Sequence, residues 1–203
     1  DIEPSRGLGD VYKRQAIVNL SELNAAGPEV LFALHSLLDR HRKLELPNGE
    51  VLSLREDTYI FGTMNPTSLR DYAGTQSLNK AFADRWVIWD KPFPNKEQLN
   101  TIFEKRYPKL QKEYRDLIIK LATEINNSFM SDDISINIET PMSLRTIVER
   151  IPIGLDVYAE SSDPLKDTWE NFVLPHVNKE DLDHYKTLWN TIVRKGPSIK
   201  PQL

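Results

Sequence analysis

Four polar side chains stand where the neighbouring sequence would present them for chemistry. Glu22 follows the apolar run Ala16–Leu20 (AIVNL), within Ser21-Glu22-Leu23-Asn24. A short apolar run reads as a buried strand, and ligand groups in open α/β sheets gather at the carboxyl ends of strands. A carboxylate placed there can orient and polarise an attacking water. Asn65 closes a second apolar run, Thr58–Met64 (TYIFGTM), where a neutral amide can hold a phosphate oxygen and a water together without adding charge. Arg85 follows Ala81-Phe82-Ala83-Asp84, and its forked guanidinium suits phosphate oxygens and charge on a transferred phosphoryl group. Arg145 lies in the early turns of a helix that the sequence starts at Pro141. Taken singly, each has an ordinary reading: a solvated turn glutamate, an Asn-Pro turn, an arginine paired with Asp84 or Asp90, and a solvated helix residue.

The elements that must position these groups change character along the chain. The runs 16–20 and 58–64 read as buried strands, and Arg85–Asp90 (RWVIWD) as a third. Pro28 opens a helix on which Val30, Leu31, Leu34, Leu37 and Leu38 share one face. Leu44, Leu46, Leu52 and Leu54 alternate with polar residues around Asn48-Gly49, a hairpin signal in which both turn residues accept positive φ. A short helix is expected near Ser77–Asp84. Pro92 and Pro94 mark a boundary, beyond which helices are predicted over 96–106, 108–129, 141–151, 164–174 and 179–194. Thr140 and Asn178 are expected to cap two of them. The reading is therefore α/β followed by α-helical: a core over 16–95, a helical domain over 96–195 and a flexible tail over 196–203.

Composition limits the classes open to the chain. Of its 203 residues, 39% are hydrophobic and 28% charged, and the formal charge of −4 argues against a broadly basic nucleic-acid surface. The absence of cysteine removes disulfides and cysteine-based zinc sites. No apolar run reaches membrane-spanning length and no signal-peptide pattern occurs, so a cytoplasmic protein is expected. His176 and His184 lack tight metal-ligand spacing. Trp169, Tyr185 and Trp189 read as helical core rather than a base-stacking platform, and Lys105, Arg106, Lys109 and Lys112 as a solvated helix face.

The ordered set S-E-L-N, P-E-V-L, T-M-N-P, Y-A-G-T and A-D-R-W resembles the second half of the AAA+ core in ATPases of the MoxR, cobaltochelatase and midasin type, also called dynein-related. The resemblance is strong over about residues 16 to 95 and weaker over the helical remainder. It implies the C-terminal half of a P-loop AAA+ core, with parallel-sheet strands and a β-hairpin insert, followed by an α-helical lid. It implies ATP as substrate and Mg²⁺ as cofactor. It places Glu22 as the water-activating glutamate of the Walker B strand, Asn24 in the family's D-E-I-N pattern, Asn65 as sensor 1, Arg85 as an arginine finger acting on the neighbouring subunit's ATP, and Arg145 as sensor 2. Ser21 departs from the pattern, standing where the family has a Mg²⁺-holding aspartate and offering only a neutral oxygen. The hairpin 44–54 resembles an insertion often directed at a substrate or central pore. Self-association into a ring, a hexamer, and a von Willebrand A domain partner or protein substrate follow as expectations.

No G-x-x-x-x-G-K-[ST] occurs in the chain. A phosphate cradle needs that loop's clustered backbone N–H groups and lysine. Residues 1–15 (DIEPSRGLGDVYKRQ) show no helical or strand period, and SRGLGDVYKRQ resembles translated sequencing-adapter sequence. The expectation is a non-native leader on a fragment cut upstream of the Walker B strand, inactive by itself. A degenerate AAA+ subunit, serving as scaffold or arginine-finger donor, is the alternative that Ser21 favours.

Overall fold

Strand β1 (Ile17–Leu20) pairs in parallel with β4 (Tyr59–Gly62), in the register Ile17↔Tyr59 to Leu20↔Gly62. The computed structural model describes residues 17–65, 77–131 and 138–203. The leader, the Tyr72-Ala73-Gly74-Thr75 motif and most of the 131–139 loop lie outside the described residues. The β1–β4 ladder continues past the strands, because Thr63 N–H donates to Leu20 O (2.9 Å) and Leu23 N–H to Thr63 O (2.8 Å). Ile17, Tyr59 and Phe61 remain exposed on this pair.

Helix α1 (Pro28–Leu38) begins with proline at its first position and Glu29 in its first turn, both favourable at a helix start. It buries Leu31 and Leu37. Leu31, Leu23 and Phe82 form a small core, with Leu20, Leu34, Leu38 and Trp86 against it. Strands β2 (Lys43–Glu45) and β3 (Val51–Ser53) then make the antiparallel hairpin, with Leu44 opposite Leu52. Its turn differs from the sequence expectation. Within the turn, Gly49 has positive φ (81°) and Asn48 does not. Gly49 N–H donates to Leu46 O and Leu46 N–H to Glu50 O, both at 2.8 Å, so Pro47 and Asn48 form the turn and Gly49 the left-handed residue after it. Pro47 has φ fixed near −65° and selects this three-residue connection.

Helix α2 (Lys80–Ala83) is capped by Asn79, whose side chain accepts from Ala81 N–H at 2.8 Å. The predicted third strand at 85–90 is not formed. Arg85 N–H bonds to Phe82 O and Trp86 N–H to Ala83 O, which keeps the chain turning. Val87 and Trp89 are almost fully exposed, and among the described residues no strand pairs with them. A β-rich composition makes a strand only where a neighbour supplies hydrogen bonds.

The described residues up to Asp90 form one compact unit and those from Lys91 a second. In the second, α3 (Lys96–Arg106) opens with a capping box: Asn95 accepts from Gln98 N–H and Gln98 from Asn95 N–H. Helix α4 (Lys112–Phe129) starts four residues later than predicted, since 107–110 form a turn closed by Leu110 N–H to Tyr107 O. Its apolar stripe buries Ile118, Leu121, Ala122 and Ile125. The helical stretch expected from Pro141 begins at Leu144, passes through a wider π turn at Thr146–Arg150 and continues as α5 (Ile151–Val157).

Thr140 does not cap that stretch. Its Oγ1 accepts from Asn178 N–H (3.1 Å) and its carbonyl from Tyr185 Oη (2.8 Å), while Ser143 Oγ takes the capping bond from Thr146 N–H (3.1 Å). Helix α6 (Pro164–Thr168) runs into a second π turn at Trp169–Val173, and α7 (Leu182–Ile192) closes the bundle. Trp169 is buried between Tyr185 and Trp189, at ring separations of 5.8 and 5.0 Å, so these aromatics are core. Residues 196–203 are not a loose tail. Tyr114 Oη donates to Ile199 O (2.8 Å), Gln111 Nε2 to Lys200 O (2.7 Å), and Pro201 is buried. No helix among the described residues is long and apolar enough to cross a membrane.

Candidate functional site

The parallel register sets Ser21 and Glu22 just beyond the carboxyl end of β1, and Thr63 to Asn65 just beyond that of β4. Glu22 occupies the left-handed region, with φ 54° and ψ 45°. That conformation costs a non-glycine residue roughly 1–2 kcal/mol. Three neighbours enforce it. Leu23 is buried against Leu31 and Phe82, its N–H is held by Thr63 O, and Ala25 N–H bonds back to Glu22 O at 2.9 Å. The chain must therefore reverse at residue 22, leaving the carboxylate exposed to solvent at the sheet's end. Strain retained at a candidate reactive group is consistent with a functional constraint.

Asn24 is buried, and its Nδ2 donates to Asn65 O at 2.8 Å. This bond spans 41 residues and locks the two strand ends together. Asn65 is half-buried. Ser21 is exposed, and its hydroxyl accepts from Asn19 Nδ2 at 3.3 Å.

Arg85 stands one turn beyond the buried Phe82, at the end of α2. It pairs with neither Asp84 nor Asp90 but with Asp39, which ends α1. Nε donates to Asp39 Oδ1 at 2.8 Å, Nη2 to Oδ2 at 3.2 Å, and Nη1 to Ala81 O. The hydrogen bond and charge of Arg85 hold the Asp39 carboxyl below the usual carboxylate range. Nothing in local spacing couples residues 46 apart. A usable signal was Asp39's position, since a carboxylate at a helix C-terminus opposes the helix dipole unless a cation answers it.

Arg145 belongs to the second unit, where it is exposed in the turn that Ser143 caps. The structure thus brings Ser21, Glu22, Asn24 and Asn65 together and anchors Arg85 in the same unit. His176 and His184 join no cluster, and among the described residues no three His, Asp or Glu side chains group as a metal site. The strand ends offer one carboxylate and the Ser21 hydroxyl. That set fits a Mg²⁺ whose shell is completed by waters and phosphate oxygens, and does not fit a site made by protein alone.

Residues 6–86 match the AAA domain of the dynein-related subfamily. Midasin from Giardia intestinalis is 36% identical over 90 residues, covering 44% of this chain and 2% of that protein. The aerobic cobaltochelatase subunit CobS from a Sinorhizobium species is 25% identical over 147 residues, covering 68% of this chain and 43% of that protein. A crystal structure from Cytophaga hutchinsonii aligns with a TM-score of 0.37 and 16% identity over 92% of this chain and 66% of that one. The chain spans less than half the length of both named relatives.

Proposed function

Since residues 6–86 match the AAA domain of the dynein-related subfamily, we propose that this chain supplies the water-activating, sensing and trans-acting groups of an ATP-hydrolysing remodelling ATPase. The reading rests on one observation: Glu22 and Asn65 follow two paired parallel strands whose ends Asn24 ties together. In this reading residues 16–95 are the second half of a P-loop core and 96–195 its helical lid. The phosphate-binding loop is not among the 203 residues, and in the working enzyme it comes from elsewhere.

Glu22 orients the attacking water and takes its proton, while Asn65 holds that water in line with the terminal phosphate. Arg85 reaches the nucleotide of the neighbouring subunit and offsets charge as the phosphoryl group leaves. Arg145 couples nucleotide state to the lid. Ser21 and Glu22 would face Mg²⁺, which when bound neutralises phosphate charge. The assembly is a cytoplasmic ring, a hexamer, acting on a protein substrate or a von Willebrand A domain partner.

Steady-state ATP hydrolysis by the full-length gene product tests the reading. Glu22→Gln is expected to lower kcat by about 10²-fold or more with ATP binding retained. Unchanged turnover in Glu22→Gln would reject it.

A second reading, a catalytically degenerate subunit that donates its arginine finger or serves as scaffold, is favoured by the neutral hydroxyl of Ser21. The Ser21→Asp variant separates the two. A large gain in hydrolysis supports degeneration, and robust turnover with serine in place supports the motor.

A further inference from the structure

Asp39 is fixed before it meets Arg85. Its N–H donates to His35 O at 3.0 Å, and its carbonyl accepts from Arg42 N–H at 3.0 Å. One turn back along each helix, the His35 ring stacks on buried Phe82, with centroids 5.2 Å apart. The ends of α1 and α2 are thus held in register by a ring contact, and Asp39 and Arg85 meet one turn further on.

The contacts divide the guanidinium in a specific way. Its five N–H groups lie in one plane and form three edges. Asp39 takes the side edge, Nε–H and one N–H of Nη2. Ala81 O takes one N–H of Nη1. One N–H on Nη1 and one on Nη2 remain, and among the described residues neither has a partner. Such free guanidinium donors suit the oxygens of a phosphate. The side chain of Arg85 is 27% exposed, so the anchored group is reachable.

We infer that Asp39 is a positioning residue for Arg85, holding the guanidinium through Nε and Nη2 so that its remaining N–H donors are presented to the phosphoryl group of a neighbouring subunit's nucleotide. This rests on the arginine-finger role in the proposed function. An unanchored arginine would spend most of its time in other rotamers, and ordering it beforehand removes that loss from the chemical step. Asp39 lies four residues before the β2–β3 hairpin, so the anchor also links the finger to the hairpin's base.

The test uses the full-length gene product, with kcat and KM for ATP, the thermal unfolding midpoint, and the variants Asp39→Ala, Asp39→Asn, Asp39→Glu and Arg85→Ala. Asp39→Ala is expected to lower kcat by about 10-fold or more at nearly constant KM and unfolding midpoint. Asp39→Asn, which keeps shape but not charge, should fall nearly as far, and Asp39→Glu should recover part of the rate. Doubling the change, in Asp39→Ala with Arg85→Ala, should be no worse than Arg85→Ala alone. If Arg85→Ala slows hydrolysis and Asp39→Ala leaves it unchanged or raises it, the anchor is rejected and the finger stands. If Arg85→Ala itself leaves hydrolysis unchanged, the arginine-finger role fails, and the anchor with it. A loss of rate confined to KM, or one that tracks the unfolding midpoint, would make Asp39 merely structural and overturn the inference.

Discussion

Asn24 Nδ2 donates to the main-chain oxygen of Asn65 at 2.8 Å, joining the residue two past Glu22 to the end of the adjacent strand. The amide is buried, so the bond is shielded from water. Its oxygen, Oδ1, has no partner among the described residues. This tie adds to the bonds Thr63 N–H to Leu20 O and Leu23 N–H to Thr63 O, which join the same two segments nearer the strands.

Replacing Asn24 therefore tests stability and alignment together. Asn24→Ala leaves the carbonyl of the half-buried Asn65 without this donor and is expected to cost about 1 kcal/mol. Asn24→Asp should cost at least as much, because an acceptor then faces an acceptor. Urea denaturation of the two variants gives the values, and a cost below about 0.5 kcal/mol in both would show the tie to be incidental.

Glu22 offers the opposite trade. At φ 54° the glutamate is strained, and glycine is not. Glu22→Gly should hold or raise stability by up to about 1 kcal/mol while abolishing hydrolysis. Glu22→Gln should leave stability unchanged. Thermal unfolding with parallel ATPase assays checks both. A Glu22→Gly protein less stable than wild type by about 1 kcal/mol would mean that the carboxylate, not the reversal, holds the turn.

In the second unit, Tyr114 predicts an alkaline response. Its hydroxyl is buried, and desolvation, reinforced by Asp163, pushes its pKa up to about 12 from 10.0. Unfolded, the phenol ionises near pH 10, whereas the folded protein resists until about 12. The stability contributed by the neutral group is thus fully present below pH 10 and lost as pH rises towards 12. Burial raises the Tyr185 hydroxyl in the same direction. Denaturant midpoints measured between pH 9 and pH 12 should fall, and less steeply in Tyr114→Phe. Equal slopes would contradict the assignment. The same variant should loosen residues 197–199, read as faster amide exchange there, because it removes the bond to Ile199 O.

A close approach in the helical unit gives a steric prediction. A Cβ added at Gly154 would come within 2.5 Å of Thr168 Cγ2. Thr168 is buried and cannot swing away. Gly154→Ala should cost about 1–3 kcal/mol despite alanine's better helix propensity. Thr168→Ser removes the offending methyl, so the double variant should recover part of that loss. Additive costs would show that the two residues do not collide.

What could be read from the sequence depended on whether a signal was local. The parallel strands at 17–20 and 59–62, the hairpin and the helices of the second unit all carry their own periodicity, and all are present. Detail failed where two local signals competed. Pro47 changed the turn that Asn48-Gly49 suggested, and Ser143 took the cap expected of Thr140 because Asn178 and Tyr185 had already claimed that threonine. Val87-Ile88-Trp89 has strand composition but no pairing neighbour among the described residues, a condition that composition does not encode. In the site, the spacing of Glu22 and Asn65 after their strands was legible. The partner of Arg85 was not, since Asp39 reaches it only through the packing of two helices.

In the proposed ring, Glu22 acts within a subunit and Arg85 across to the next. Mixing full-length Glu22→Gln with full-length Arg85→Ala, each nearly inactive alone, tests it directly. In mixed rings an Arg85→Ala subunit keeps its own Glu22 and borrows an intact arginine from a Glu22→Gln neighbour. ATP hydrolysis is expected to return on mixing, to roughly a quarter of wild type for equal parts and random assembly. Mixed rings that form but remain as inactive as either variant alone would contradict it.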